Sequence, residues 1–285
     1  MENYDLDGIH FDDYFYSYGG TAPSQDASAF ENYNEDGLSL DDWRRDNVNT
    51  LVKTIYDLVE GYNDETNQAV KFGISPFGIW ASDQQEEGGS NTSPNALSSY
   101  RSQYADSKKW VEEGWLHYIL PQLYWEFEHS VAPYADLVKW WSELVDGTEV
   151  DLIIGHGFYR YAEGTWSDPS ELLEQLRYNS KYDAVDGSSF FTYNTLNSQH
   201  DNVKDALTRL NETYWTEDVQ VSWETTLYQD DDEPNCQDGE VLIDGECVLE
   251  ELEPGSNNTV IYILGGVIVI IAASVTAIFI RRKTS

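Results

Sequence analysis

Basic residues are what this chain most lacks: 16 Lys and Arg stand against 52 Asp and Glu, a formal charge of -36. So acidic a surface repels phosphate backbones and excludes nucleic acid as a partner. The acidity reads as a solvated face that keeps the protein dispersed rather than as a cation-binding device. Cysteine is nearly absent as well. Cys236 and Cys247 alone cannot build a tetrahedral zinc site, the five His are scattered, and the acidic runs lack the spacing of a calcium loop. Neither a metal nor another cofactor is implied. An export signal is also missing, because Met1-Glu2-Asn3-Tyr4 offers no basic segment followed by an apolar one.

Long apolar runs are absent until Val260, where VIYILGGVIVIIAASVTAIFI continues to Ile280 without a charge. At about 1.5 Å per residue this run matches a bilayer core of roughly 30 Å and predicts a single membrane-spanning helix over 260–280. Arg281-Arg282-Lys283 follows, and Glu250, Glu251 and Glu253 precede. The positive-inside rule then puts the tail 281–285 in the cytoplasm and the main domain outside, at the cell membrane. Leu252-Glu253-Pro254-Gly255 does not supply a sortase signal, so the helix is expected to stay as an anchor. Either the protein is tail-anchored with its domain in the cytoplasm or the start lies inside a longer gene, and the positive tail and the abrupt first strand favour the second.

What is present is a globular composition, 40% hydrophobic and 14% aromatic, enough for one large domain and an appendage. The domain is assigned to 1–215 and an acidic linker or stalk to 216–259. Within the stalk, Cys236 and Cys247 bracket a short loop with Asp244-Gly245 as a turn. The pair reads either as a disulfide-closed hairpin or as two free thiols in a flexible linker.

Over 1–215 short apolar runs alternate with helical periods, the mark of a parallel sheet with crossover helices. Five strands are predicted: Asp5 to Phe11, Val70 to Ser75, His117 to Leu123, Val150 to Gly155 and Gly187 to Tyr193. Ser39 caps a helix whose Trp43, Val48, Leu51, Val52, Ile55, Leu58 and Val59 share a stripe, and Gly61 closes it. Further helices run from Tyr134 to Val145, from an Asp168 N-cap with Pro169 in the first turn, and from Asn202 to Thr213. The fold class is therefore α/β, of the (β/α)8 TIM-barrel type. Only about five βα units are visible, and since each takes roughly 30 to 40 residues of a complete barrel of about 250, the N-terminal part is expected to be lacking.

In such barrels the chemistry sits at the C-terminal ends of the strands. Those ends carry Asp12, Asp13 and Tyr14; Ser75, Phe77 and Trp80; Gln122, Tyr124, Trp125 and Glu126; His156 and Tyr159; and Thr192 to Asn194. Carboxylates in an aromatic-lined cleft suit glycoside cleavage, where one group protonates the leaving oxygen and another attacks or stabilises an oxocarbenium-like centre. Trp80, Tyr124 and Trp125 offer faces for sugar stacking, although any single aromatic is more often a core residue.

Asp7-Gly8-Ile9-His10-Phe11-Asp12 resembles the fourth strand of the alpha-amylase superfamily, with His10 at the position of its Arg and Asp12 at that of its nucleophile. A closer resemblance follows from that string together with its continuation Asp13-Tyr14-Phe15-Tyr16. It also takes in Trp43-Arg44-Arg45-Asp46-Asn47-Val48-Asn49, Val70 to Trp80, Pro121-Gln122-Leu123-Tyr124-Trp125, Gly155-His156 and Trp166-Ser167-Asp168-Pro169. These look like the glycosyl hydrolase-like 10 family over about Glu2 to Tyr214, the C-terminal two-thirds of its domain. Ser17 stands where that family usually has Pro. The resemblance implies a TIM-barrel glycosidase acting on a polysaccharide or on peptidoglycan glycan strands. Asp12, Glu126 and Asp13 are the catalytic candidates; His10, Tyr14, Trp80, Gln122, Tyr124, Trp125, His156 and Tyr159 are the substrate-binding ones. Two rivals stay open: a non-catalytic surface glycan-binding protein and an inactive truncated fragment.

Overall fold

The computed structural model describes residues 1, 4 and 6–216, together with the backbone of three short strands further along. The chain divides into two compact units, residues 1–218 with 274–285, and residues 219–273.

The first unit alternates strands and helices in the order β1 (Gly8–Phe11), α1 (Pro23–Tyr33), α2 (Leu40–Thr66), β2 (Lys71–Ile74), α3 (Ser107–Glu112), β3 (Tyr118–Ile119), β4 (Gln122–Leu123), α4 (Tyr134–Val145), β5 (Asp151–His156), α5 (Tyr159–Ala162), α6 (Glu171–Asn179), β6 (Val185–Phe190) and α7 (Asp201–Thr213). A π-helical turn, Ser99–Gln103, precedes α3. Every pairing among β1 to β6 is parallel, which requires a crossover between paired strands, and β3 and β4 both pair with β5. This mixed α/β order with its parallel sheet is consistent with a TIM-like fold.

Alternation along the strands sorts the side chains. Ile9, Phe11, Phe72, Ile74, Ile119, Leu152 and Ile154 join one apolar cluster with Val48, Val52 and Val59 of α2 and Leu137, Val138 and Trp141 of α4. The intervening positions carry a polar row. His10, Gly73 and Tyr118 lie side by side in register across three strands. The rings of His10 and Tyr118 stack with centroids 5.8 Å apart, and a Cβ on Gly73 would overlap the Tyr118 ring. A second cluster, around Phe158, Tyr161, Trp166, Leu172, Val203 and Leu210, joins α5, α6 and α7 to the end of β6.

Several expected boundaries move. α2 runs through Gly61 and ends at Asn67, whose φ of 55° supplies the left-handed cap. Leu51 and Leu58 of its predicted stripe are exposed, at 45% and 58%. The third predicted strand is two short ones flanking Leu120-Pro121, because proline has no N–H for the ladder. Asp168 does not cap α6; Ser170 holds the N-cap position without a side-chain capping hydrogen bond, and Asp168 Oδ1 accepts the Ser170 N–H at 2.8 Å in the turn before it. α1 was not anticipated.

In the second unit, β7 (Glu240–Ile243) and β8 (Glu246–Leu249) form an antiparallel pair with Ile243 opposite Glu246. A Cys236–Cys247 bridge lies outside the described residues. The membrane-spanning helix over 260–280 is overturned: among the described residues no helix is long and apolar enough to cross a membrane. Residues 277–280 instead form β9 (Ala277–Ile280), antiparallel to β6, whereas 260–276 and the tail 281–285 lie outside the described residues. A run rich in Val and Ile suits a strand as well as a helix, and hydrophobicity alone does not separate the two. With the helix goes the assignment to the cell membrane that rested on it.

Arg44, in the first turns of α2, is 1% exposed. Its Nε and Nη2 each donate to Asp26 at 2.7 Å, and its Nη1 donates to the Thr21 carbonyl at 3.1 Å and the Tyr104 hydroxyl at 2.8 Å. The guanidinium also lies 5.6 Å and 5.0 Å from the rings of Tyr16 and Tyr104. Asp26 comes from α1, 18 residues before Arg44, and the guanidinium holds its carboxyl below the ordinary carboxylate range. Removing one partner of a buried pair strands the other charge. Asp26→Ala should therefore lose about 3 kcal/mol in urea denaturation. Asp57→Ala, which breaks the exposed Lys53–Asp57 pair of α2, should lose about 0.5 kcal/mol or less. Equal losses would refute the central role of Arg44.

Candidate active site

The C-terminal end of β1 releases the chain into Asp12 and Asp13, and the two carboxyls go opposite ways. Asp12 is exposed; Asp13 is 3% exposed. Asp12 Oδ1 accepts from the Asp13 N–H at 2.8 Å and from Gln122 Nε2 at 3.1 Å. Gln122, at the start of β4, also donates to the Ser75 carbonyl at 2.9 Å, so one amide spans the ends of three strands. His10 shares hydrogen bonds with Tyr118 at 2.9 Å through Nδ1 and with Ser75 Oγ at 3.0 Å through Nε2. Both of its nitrogens are thus occupied by protein, and His10 orients the strand ends.

Asp13 Oδ2 accepts the hydroxyl of Tyr18, and its backbone carbonyl accepts from Gln103 Nε2 at 3.4 Å. Gln103 closes the π-helical turn and has no exposure. Burial pushes the Asp13 carboxyl up to about 6; the Tyr18 hydrogen bond opposes that rise and the charge of Asp12 adds to it. Tyr18 is raised above the ordinary phenol range by burial of its hydroxyl and by its bond to Asp13. Tyr124 is raised by burial first and by the charge of Asp12 second.

Aromatic rings surround this pair in two groups. Tyr14 (76% exposed) meets Tyr18 at 5.8 Å, Tyr18 meets Phe77 at 6.1 Å, and Phe77 meets Trp125 at 5.4 Å. Tyr124 stacks on Phe191 at 6.0 Å, and Tyr159 closes edge-on against both at 5.8 Å. Gly78 makes room for the first group, since a Cβ there would collide with Gln122, Leu123 and the Trp125 ring.

The structure thus brings Asp12, Asp13, His10, Tyr14, Gln122, Tyr124, Trp125 and Tyr159 to the ends of the parallel strands. It sets three other candidates apart. Trp80 is 6% exposed, donates from Nε1 to Asp106 at 2.8 Å and stacks on Trp140. His156 is fully buried between Gln175 Oε1 at 2.9 Å and Ser188 Oγ at 3.1 Å, and burial pulls its pKa down to about 4. Gln175 donates in turn to the Trp125 carbonyl at 3.0 Å and to Glu171 at 2.9 Å, so His156 braces the Trp125 loop from beneath. Glu126 is half-buried, and its charge is felt by Glu171 and Tyr161.

Tyr18 and Gln103 were not anticipated. The only sequence signal for Tyr18 is the density of tyrosines after Asp13. Gln103 has none, because the contact spans 90 residues.

The family described as Glycosyl hydrolase-like 10 matches residues 1–170. Glycosyl hydrolase YngK of Bacillus subtilis (strain 168) is 40% identical over 213 residues, covering 73% of this chain and 41% of the relative. Glycosyl hydrolase DigH of Escherichia coli (strain K12) is 34% identical over 205 residues, covering 69% of this chain and 45% of the relative. The chain spans less than half the length of the curated relatives it matches.

The raised Asp13 carboxyl makes a stability prediction with a defined sign. A carboxyl whose folded pKa lies near 6, above its ordinary value of 3.8, contributes stability that is complete below pH 3.8 and is lost as pH rises through about 6. Denaturant midpoints for wild type and Asp13→Asn should therefore diverge in the variant's favour between pH 4 and pH 6, then run parallel. A constant difference from pH 4 to pH 7 would show that Asp13 titrates normally.

Proposed function

Because the chain belongs to the glycosyl hydrolase-like 10 family, we propose that it is a glycosidase that cleaves a polysaccharide or a peptidoglycan glycan strand through carboxylate chemistry centred on Asp12. One observation carries this reading: an exposed carboxylate at a parallel-strand end, held on one oxygen by Gln122 and by a backbone N–H. Those two donors fix the direction in which the carboxylate points. An ionised, oriented carboxylate is what stabilises or attacks the oxocarbenium-like centre of glycoside cleavage.

The second carboxyl needs the opposite environment, one that keeps it protonated. Asp13, buried and raised to about 6, has it. Glu126 fits less well, since its electrostatic neighbours are Glu171 and Tyr161 rather than the Asp12 group. The half-buried rings of Tyr124, Trp125 and Tyr159 and the exposed ring of Tyr14 supply apolar faces for sugars. Trp80, buried under Trp140, is left out of that surface.

Asp12→Asn keeps the side-chain volume and an oxygen for Gln122 while removing the charge. Hydrolysis of purified glycan strands should fall by about three decades, roughly 4 kcal/mol of barrier, with glycan binding retained. Full activity in the variant would take Asp12 out of the reaction. A wild type that binds glycans without cleaving them would instead favour a carbohydrate-binding protein.

A further inference from the structure

Resting on the glycosidase reading above, we propose that Tyr18 is a catalytic residue whose hydroxyl hands to the glycosidic oxygen the proton held by the buried carboxyl of Asp13. Asp13 at 3% exposure does not reach a sugar in the cleft directly. Tyr18 is the more open of the two: the residue is 38% exposed, its ring lies in the aromatic group between Tyr14 and Phe77, and its hydroxyl sits on Asp13 Oδ2. Gln103, itself fully buried, donates its amide to the Asp13 carbonyl and hydrogen-bonds Tyr18 as well, so it holds the two groups together.

A phenol alone is a poor acid for this task. Giving up its proton would leave a phenolate beside Asp12 and Asp13, and Tyr18 is already raised above its ordinary range. A protonated Asp13 removes the obstacle. As the Tyr18 O–H bond breaks and its proton bonds to the glycosidic oxygen, the Asp13 carboxyl proton moves to the Tyr18 oxygen. The anomeric C–O bond breaks, its electron pair staying with the departing oxygen, and Asp12 balances the positive charge that develops at the anomeric carbon. Asp13 is left as a carboxylate. Water then adds to the anomeric carbon, and its released proton returns through Tyr18 to Asp13, so the sum is one glycoside and one water giving two sugars.

The groups that set the Asp13 proton are Asp12 in the same loop, Tyr18, Tyr14 through its effect on Tyr18, and Tyr124 beyond β4. Gln103 contributes its amide from the π-helical turn. With the carboxyl near 6, cleavage should decline on the alkaline side of about pH 6.

Leaving-group dependence tests the relay. The full chain as wild type, Tyr18→Phe and Asp13→Asn is assayed on purified peptidoglycan glycan strands and on a 2,4-dinitrophenyl glycoside of the same disaccharide, whose leaving group departs without protonation. Both variants should lose about 100-fold or more on the strands and less than about tenfold on the dinitrophenyl glycoside, and Tyr18→Phe should lose the alkaline decline near pH 6. Equal losses on the two substrates would mark a structural role and overturn the proposal. So would full activity of either variant on the strands. A wild type inactive on both substrates would remove the glycosidase reading, and the relay with it.

Discussion

The guanidinium of Arg44, shut away from water, meets both oxygens of Asp26, the Thr21 carbonyl and the Tyr104 hydroxyl, and lies against the rings of Tyr16 and Tyr104. A buried charge is tolerated only when it is paired and its donors are satisfied. Its partners come from the chain after β1, the first turn of α1 and the residue that follows the π-helical turn. Satisfying Arg44 therefore gathers these segments into one place. The loop from Asp12 to Tyr18 is strung between β1 and this anchor, and Gln103 sits next to Tyr104. The burial of Asp13 and the seating of Tyr18 on it follow from where Arg44 ties the chain.

Polar groups on the strands complete the arrangement. His10 and Tyr118 flank Gly73 in register, with room for the stacked rings only because Gly73 has no side chain. Ser75 and Gln122 extend this row to the strand ends and terminate on Asp12. A separate buried chain, His156 to Gln175 to Glu171, fastens α6 to the backbone of Trp125 and Phe127. The exposed carboxylate and its aromatic surroundings are thus held by two polar networks, one along the sheet and one beneath the loop. Burial raises the proton affinity of the Asp13 carboxyl.

The parts of the fold legible in the sequence are those with strong local signals. α4 runs from Tyr134 to Val145 as its 3.6-residue period requires, and β5 differs from its predicted run by one residue at each end. The Ser39 cap is real, with its hydroxyl accepting the Asp42 N–H at 3.2 Å. Where the signals are weak the structure departs from them. Gly61 lies inside α2 because packing of Val48, Val52 and Val59 outweighs the cost of roughly 1 kcal/mol for a helical glycine. Residues 277–280, at the end of the apolar run, pair as a strand with β6, a pairing that no count of hydrophobic residues contains.

For the site, the sequence by itself determined that Asp12 and Asp13 follow a strand, that aromatics crowd the strand ends and that these motifs carry a family likeness. All of that is local and needs only neighbours along the chain. Tertiary structure alone decided which carboxyl is wet and which is buried, since the burial of Asp13 depends on Gln103 and Tyr18 closing over it. It likewise set His156 and Trp80 apart from the Asp12 group by enclosing them with Gln175 and Trp140, residues 19 and 60 positions away. Proton affinity and exposure are properties of what surrounds a side chain, and those surroundings exist only once distant segments have packed.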